Sequence, residues 1–330
     1  MTTAATGDEA SVRSRFDFSS FLQNYGTACI FLVLFIGASL ASEPFHSYLN
    51  IMKVLRQVAA DTGIMAVGML FVILTRGIDL SVGSLAAVGS VLMGVLMAKQ
   101  GYGLPSAIVL TLIAGAVLGG VTGFMVAYLR LPSFVVSLAM MAIGRGIALN
   151  LSSGQPIPLG DKGQAIGDFG LGYFLGLPQP VILMFAVFLV AGFVLNFTRF
   201  DRIVKAIGSN EETVRLSGIA VPRYVMAVYV ISGALAALAG IVYVSRTVSG
   251  SATVGVGAEL NVIAAVVIGG ASLMGGRGGV VNTLLGALIM GMISNIMNLT
   301  GVPGYNQQIY MGAIIVFAML LQYGASWRRA

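Results

Sequence analysis

Ten near-continuous apolar stretches divide the 330-residue sequence, at 26–41, 59–75, 82–98, 106–129, 134–151, 180–197, 225–245, 259–274, 281–299 and 309–323. An α-helix satisfies its own backbone hydrogen bonds, so such stretches can turn their side chains towards lipid without leaving polar groups stranded. About 20 residues cross a hydrocarbon core of ~30 Å, and the spacing predicts an all-α polytopic membrane protein with about ten transmembrane helices. Stretches 26–41 and 309–323 are short for a crossing, and their flanks are expected to extend them. Only 9% of the residues are charged, against roughly 25% in a soluble domain, so a solvated surface could not be built. Part of the high glycine content suits close helix contact in lipid: Gly115 and Gly119 in AGAVLGGVTG (114–123) stand at G-x-x-x-G spacing.

Residues 1–20 (MTTAATGDEASVRSRFDFSS) are mixed in charge and rich in Ser and Thr. They read as a disordered cytoplasmic tail rather than a cleavable signal, followed by one transmembrane domain over 21–330. With the N-terminus inside, the inner segments carry Arg13, Arg15, Arg76, Arg130, Arg199, Arg202, Lys205, Arg215, Arg223, Arg277, Arg328 and Arg329. The outer ones carry Lys53, Arg56, Lys99, Lys162 and Arg246. Twelve against five is a positive-inside bias that predicts cytoplasmic N- and C-termini. Two connections are long: 152–179, rich in Pro and Gly and expected outside, and 198–224, expected inside. The second separates spans 2–5 from spans 7–10, which would start from opposite sides of the bilayer, the arithmetic of an inverted repeat. GIDLSVGSLAAVG (77–89) and GGRGGVVNTLLGA (275–287), both Gly-punctuated turns that open a span, match that scheme.

Within 198–224 lies AIGSNEETVRLSGIAVPRY (206–224), with the punctuation of a short water-facing helix. Ser209 and Glu212 stand at capping-box spacing, Glu211 and Glu212 suit the positive first turn and Arg215 the last, Gly218 reads as a left-handed stop, and Pro222 as a bar to restarting. A plain connector needs only a few residues. This one also offers Val214, Leu216 and Ile219 as an apolar side, suited to a groove on another protein.

TRGIDLSVGS (75–84) places Arg76 and Asp79 three apart between two apolar runs, close enough to pair if the turn is helical. Two readings stand: an intramembrane acid on an ion path, or a turn at the cytoplasmic edge in which Asp79, with Ser81, Gly83 and Ser84, caps the next helix and Arg76 anchors it. The other polar groups in or near spans are Asp61, Arg145, Asn150, Glu259, Asn261, Asn282, Asn295 and Asn298. Several lie near span ends, where snorkelling or capping suffices. Asn295 and Asn298, three apart, would line a polar passage or bond a neighbouring helix; with Asn150 and Asn261 they are the candidates for a translocation path.

Absences narrow the chemistry. None of the four lysines follows a glycine, so no Walker A loop exists and GGRGG (275–279) reads as a tight turn. One cysteine, Cys29, and one histidine, His46, exclude a disulfide framework and a His/Cys metal cluster. No catalytic constellation is present, and the net charge of +6 suits inner loops rather than nucleic acid.

GIDLSVGS, LRLPSFVVSLAMM (129–141), AIGSNEETVRLSGI (206–219) and VIGGASLMGGRGG (267–279) together resemble the ribose-type permease subunits of bacterial ABC sugar importers, over roughly 50–322. The resemblance implies a fold like that of the vitamin B12 importer, in the inner membrane, with a second permease copy, identical or related. It implies a cytosolic ATPase that holds the ATP and Mg, and a periplasmic sugar-binding protein. Ala206, Gly208, Asn210, Arg215, Leu216, Ser217, Gly218 and Ile219 match the family's coupling helix, which meets the ATPase. Family members often show two glycines before I-D-L-S-V-G, where this chain has Arg76-Gly77. The rival from another class is an ion-coupled secondary carrier using Asp79 or Glu259.

Overall fold

The structure, a computed structural model, describes residues 18–327. Most of the expected 1–20 tail lies outside the described residues, and 18–20 already belong to the first helix. Fourteen α-helices follow: α1 Phe18–Ala41, α2 Tyr48–Val58, α3 Ile64–Leu74, α4 Val82–Gly94, α5 Leu104–Ala127, α6 Ser133–Ser152, α7 Gln164–Leu171, α8 Gln179–Phe197, α9 Arg199–Ser209, α10 Glu211–Leu216, α11 Val221–Thr247, α12 Ala258–Ile268, α13 Val280–Leu299 and α14 Gly304–Trp327.

Among the described residues, seven helices are long and apolar enough to cross a membrane, and α1 and α12 contribute shorter apolar segments. The expected stretches all contain helix, with two differences. First, α2 and α3 are one helix of 27 residues, Tyr48–Leu74, continuous through a π-turn at Ala59–Gly63. The expected boundary at 59 missed α2 because YLNIMKVLRQV alternates Met52, Val54 and Val58, buried, with Lys53, exposed; an amphipathic face hides from a search for unbroken apolarity. Second, 259–274 is not a full crossing. α12 has 11 residues, or about 16 Å of helix, roughly half a hydrocarbon core.

Before α12, residues 249–257 run without helix along α4. Gly250 packs by Ser90 and Gly94, and Gly255 by Gly83. The sequence SGSATVGVG is rich in Gly, Ser, Thr and Val, residues of lower helix propensity than Ala or Leu. Irregular backbone at this depth needs partners from protein, and α6 supplies one: the Arg145 guanidinium donates to the carbonyls of Ala252 and Val254.

α11 is the central pillar, packing on α3, α4, α5 and α7. Its approach to α5 is close because a Cβ at Gly119 would lie 2.2 Å from the Tyr229 carbonyl oxygen, so only glycine fits. Burial separates core from periphery. The most apolar windows of Tyr48–Leu74 and Val82–Lys99 are 89% and 83% buried, those of α5, α6 and α8 only 33%, 28% and 33%. The exposed faces of these outer helices are apolar (Val109, Ile113, Val117, Phe193, Phe197) and suit hydrocarbon. The 152–179 connection is ordered: α7 lies on α11, and Ile157–Pro158 pairs antiparallel with Ser249–Gly250.

Candidate functional site

The polar stretch at 206–224 folds as the end of α9, the six-residue α10 and the start of α11. Asn210, not Ser209, caps α10: its side chain accepts the Thr213 N–H at 3.0 Å. Ser209 closes α9 instead, its hydroxyl donating to the Lys205 carbonyl. The capping box therefore does not form, and Glu212 pairs with Arg215 at 2.7 Å. That contact, by hydrogen bond first and charge second, holds the Arg215 guanidinium above its ordinary pKa. Gly218 has φ +79, the left-handed stop that the sequence indicates. Pro222 falls in the first turn of α11, where its missing N–H costs nothing, so it starts a helix rather than preventing one.

Three motifs separated in sequence meet at this end of the molecule. Gly208 sits where a Cβ would lie 2.0 Å from the Leu74 carbonyl oxygen and 2.5 Å from the Gly276 nitrogen, and the Gly276 N–H donates to that same carbonyl at 3.0 Å. The AIGSNEE, TRGIDLSVGS and GGRGG segments thus form one packed platform. Val214 is buried with Ile207 and Val221, which corrects the expectation that it is exposed; Ile219 packs beside them half-buried. Leu216 is 78% exposed, and Ala206, Asn210, Glu211, Glu212, Arg215 and Ser217 also face outwards. A cleft of 380 Å³ opens beside this ridge, lined by Phe200, Ile219, Arg223 and Tyr224. The arrangement offers a rigid, water-facing ridge fixed to the ends of membrane helices.

The Arg76–Asp79 pair does not form. Arg76 is exposed, with φ +65, and Asp79 is fully buried. Its carboxylate accepts the Ser81 N–H and hydroxyl and, at 2.7 Å, the Ser232 hydroxyl of α11. Burial pushes the Asp79 carboxyl up, and these hydrogen bonds oppose the shift. Asp79 is thus a staple between the 75–81 turn and α11; Ser81 occupies the N-cap position of α4 without a side-chain cap. Gly83 lies against Gly255. The left-handed φ explains why a glycine would suit position 76.

The four path candidates are not brought together. Asn295 exchanges two hydrogen bonds with Asn50 of α2, at 2.9 and 3.0 Å. Asn298 accepts from Gln307, and Asn150 is exposed on α6. Asn261 lines two adjoining cavities. Sequence reasoning passed over Asp61 as a span-end residue; it stands midway along Tyr48–Leu74.

A family model described as "Branched-chain amino acid transport system / permease component" matches residues 50–319. The chain belongs to this permease family. It is 41% identical over 309 residues to the ribose import permease protein RbsC of Escherichia coli (strain K12), covering 93% of this chain and 96% of that one. Identity to the RbsC protein of Bacillus subtilis (strain 168) is 41% over 309 residues, 94% and 95% of the two chains. The L-arabinose transport system permease protein AraH of Escherichia coli (strain K12) is 35% identical over 326 residues, 97% and 96%. No solved structure matches the chain. The protein is a multi-pass membrane permease component, not an enzyme.

Proposed function

We propose that the chain is the membrane subunit of an ATP-driven importer for a monosaccharide of the ribose or arabinose kind. The observation that carries this reading is the end-to-end likeness to permeases named for those two sugars, in a chain without a Walker A lysine. ATP and Mg are then held by a separate cytosolic ATPase, and a periplasmic binding protein delivers the sugar. The subunit sits in the bacterial inner membrane beside a second permease copy, with both termini cytoplasmic, and its chain follows the ten-segment, B12-importer-like plan with 249–268 as a broken eighth segment. Support for the inverted repeat comes from a shared feature: α4 and α12 each follow a non-helical stretch, at 75–81 and 249–257.

The ridge at 206–219 is the element on which the ATPase acts. Its seating on Leu74 and Gly276 ties it to the inner ends of α3 and the 269–279 turn, so a push on α10 moves the core rather than a loose loop. ATP binding draws the two ridges together and shifts the permease between inward- and outward-open states. The ion-coupled alternative gains nothing from Asp79, whose carboxylate is occupied by Ser81 and Ser232, or from Glu259, whose charge acts on Arg145.

Proteoliposomes containing the chain, its ATPase and the binding protein test the reading. Uptake of D-ribose or L-arabinose is expected only with ATP inside the ATPase-accessible compartment. Uptake that persists without ATPase and ATP, driven by a proton or sodium gradient, would sink it.

A further inference from the structure

From Val58 to Leu74 every residue is buried except Asp61. Its side chain is 42% exposed, although it lies at the midpoint of the Tyr48–Leu74 helix. The exposure is towards two adjoining cavities, of 240 and 60 Å³, each lined by both Asp61 and Asn261. Thr253 and Tyr243 stand on the wall of the larger, Gln57 and Ser294 on that of the smaller.

The backbone is unusual on both sides of this space. Asp61 lies in the π-turn, which adds a residue to one helical turn and re-aims the side chains after it. Thr253 lies in the non-helical 249–257 stretch, between the two carbonyls that Arg145 holds. Irregular backbone at membrane depth is stable where it lines a cavity, and discontinuous segments are where transporters bind their substrates. An ionisable group kept inside a span costs enough that it marks a functional place.

We infer that this paired cavity is a binding site for a neutral polyhydroxylated solute, with the Asp61 carboxylate and the Asn261 amide as its recognition groups. The inference rests on the sugar-permease reading. A carboxylate accepts from two hydroxyls, and an amide both donates and accepts, so together they match adjacent hydroxyls on a sugar ring. Tyr243 adds an aromatic wall of the kind that packs on C–H faces. The site is not built for a cation, because Arg246 stands 3.8 Å from the Asp61 carboxylate and balances its charge. That distance is too long for a direct hydrogen bond, so Asp61 keeps lone pairs for a ligand. Each of the two cavities is smaller than the ~300–1,000 Å³ clefts that take drug-sized molecules, and a weak site of this size suits a solute that must be released.

The test uses the full complex in proteoliposomes. Asp61→Asn and Asn261→Ala are each expected to lower ATP-driven uptake of D-ribose and L-arabinose at least about tenfold at equal inserted protein, the loss of one strong hydrogen bond. Wild-type uptake rates in both variants overturn the site. A second arm removes dependence on those variants: Thr253→Cys in a Cys29→Ser background is expected to react with a charged methanethiosulfonate reagent, more slowly when D-ribose or L-arabinose is present. ATP-driven uptake with labelling that either sugar leaves unchanged, or with no labelling, defeats the site alone. Absence of ATP-driven uptake of either sugar by the wild-type chain, with labelling indifferent to both, defeats the permease reading and the site together.

Discussion

The α10 ridge and the π-turn at Asp61 both hold polar side chains in a chain that has few, and they hold them by opposite means. At α10 the polar contacts are local: Asn210 with Thr213, Glu212 with Arg215, Ser217 with Thr213. Around Asp61, Gln57 one turn back is a local partner, but the other groups arrive from α11, α12 and the non-helical 249–257 stretch. Local contacts shape a surface that water already solvates, so losing one changes stability little. Long-range contacts hold polar groups and backbone at depth, where no water replaces them. Substitutions that touch long-range contacts should therefore cost stability, and those confined to local ones should cost only function.

Gly208 is the most severe test, because it lies within the ridge yet makes a long-range contact. Gly208→Val drives branched carbon atoms into the Leu74 carbonyl and the Gly276 nitrogen, neither of which is a flexible side-chain end. A loss of about 3 kcal/mol or more is expected, read as a fall in melting temperature and in monodisperse yield from detergent. An unchanged melting curve would mean that α9 is not seated on the end of α3, and the comparison would break at its base.

Asn50 and Asn295 come next. Asn295→Ala leaves the Asn50 amide with only its bond to the Phe45 carbonyl, a loss of about 1–3 kcal/mol. Adding Asn50→Ala should cost less than its single effect, since the stranded partner is then gone. Strict additivity in the double-mutant cycle would show that the reciprocal pair is not formed. Arg76→Gly has the opposite sign. It relieves a left-handed backbone that penalises a Cβ by about 1–2 kcal/mol, so thermal unfolding should move up; a decrease would mean that the guanidinium has a role the turn depends on.

The same division between local and long-range contacts decides how much could be read from residues in order. The helical stretches, the stop at Gly218 and the absence of a nucleotide loop are local facts, carried by apolar runs, turn chemistry and missing lysines. The shift of the α10 cap from Ser209 to Asn210 is a one-residue error of a kind that local patterns allow, because both side chains suit the position. The shortness of α12 is harder to read: 259–274 is apolar but for Glu259, Asn261 and Ser272, and its halving depends on Gly83 and Arg145 accepting the 249–257 stretch. Asp61 was misplaced for a related reason. With the span begun at 59 it stands at an end, where an acid is cheap; with α2 joined on, it stands in the middle.

The smallest expected change in stability, and the sharpest separation of the two regions, belongs to Glu212. Glu212→Lys removes an exposed contact with Arg215 and sets a second cation beside it. Salt and water screen both charges, so the melting temperature should not measurably move. The ridge itself, seated through Gly208 and Val214, keeps its shape. What changes is the sign of the charge that the ridge presents, and an interface charge set against its partner suppresses association far more than it disturbs the free subunit. Recovery of the ATPase in pull-downs should drop about tenfold, and raised salt should restore part of it by shortening the reach of the repulsion. Full recovery at low salt would remove Glu212 from the contact. A lowered melting temperature would show instead that a local contact on the surface does carry architecture here.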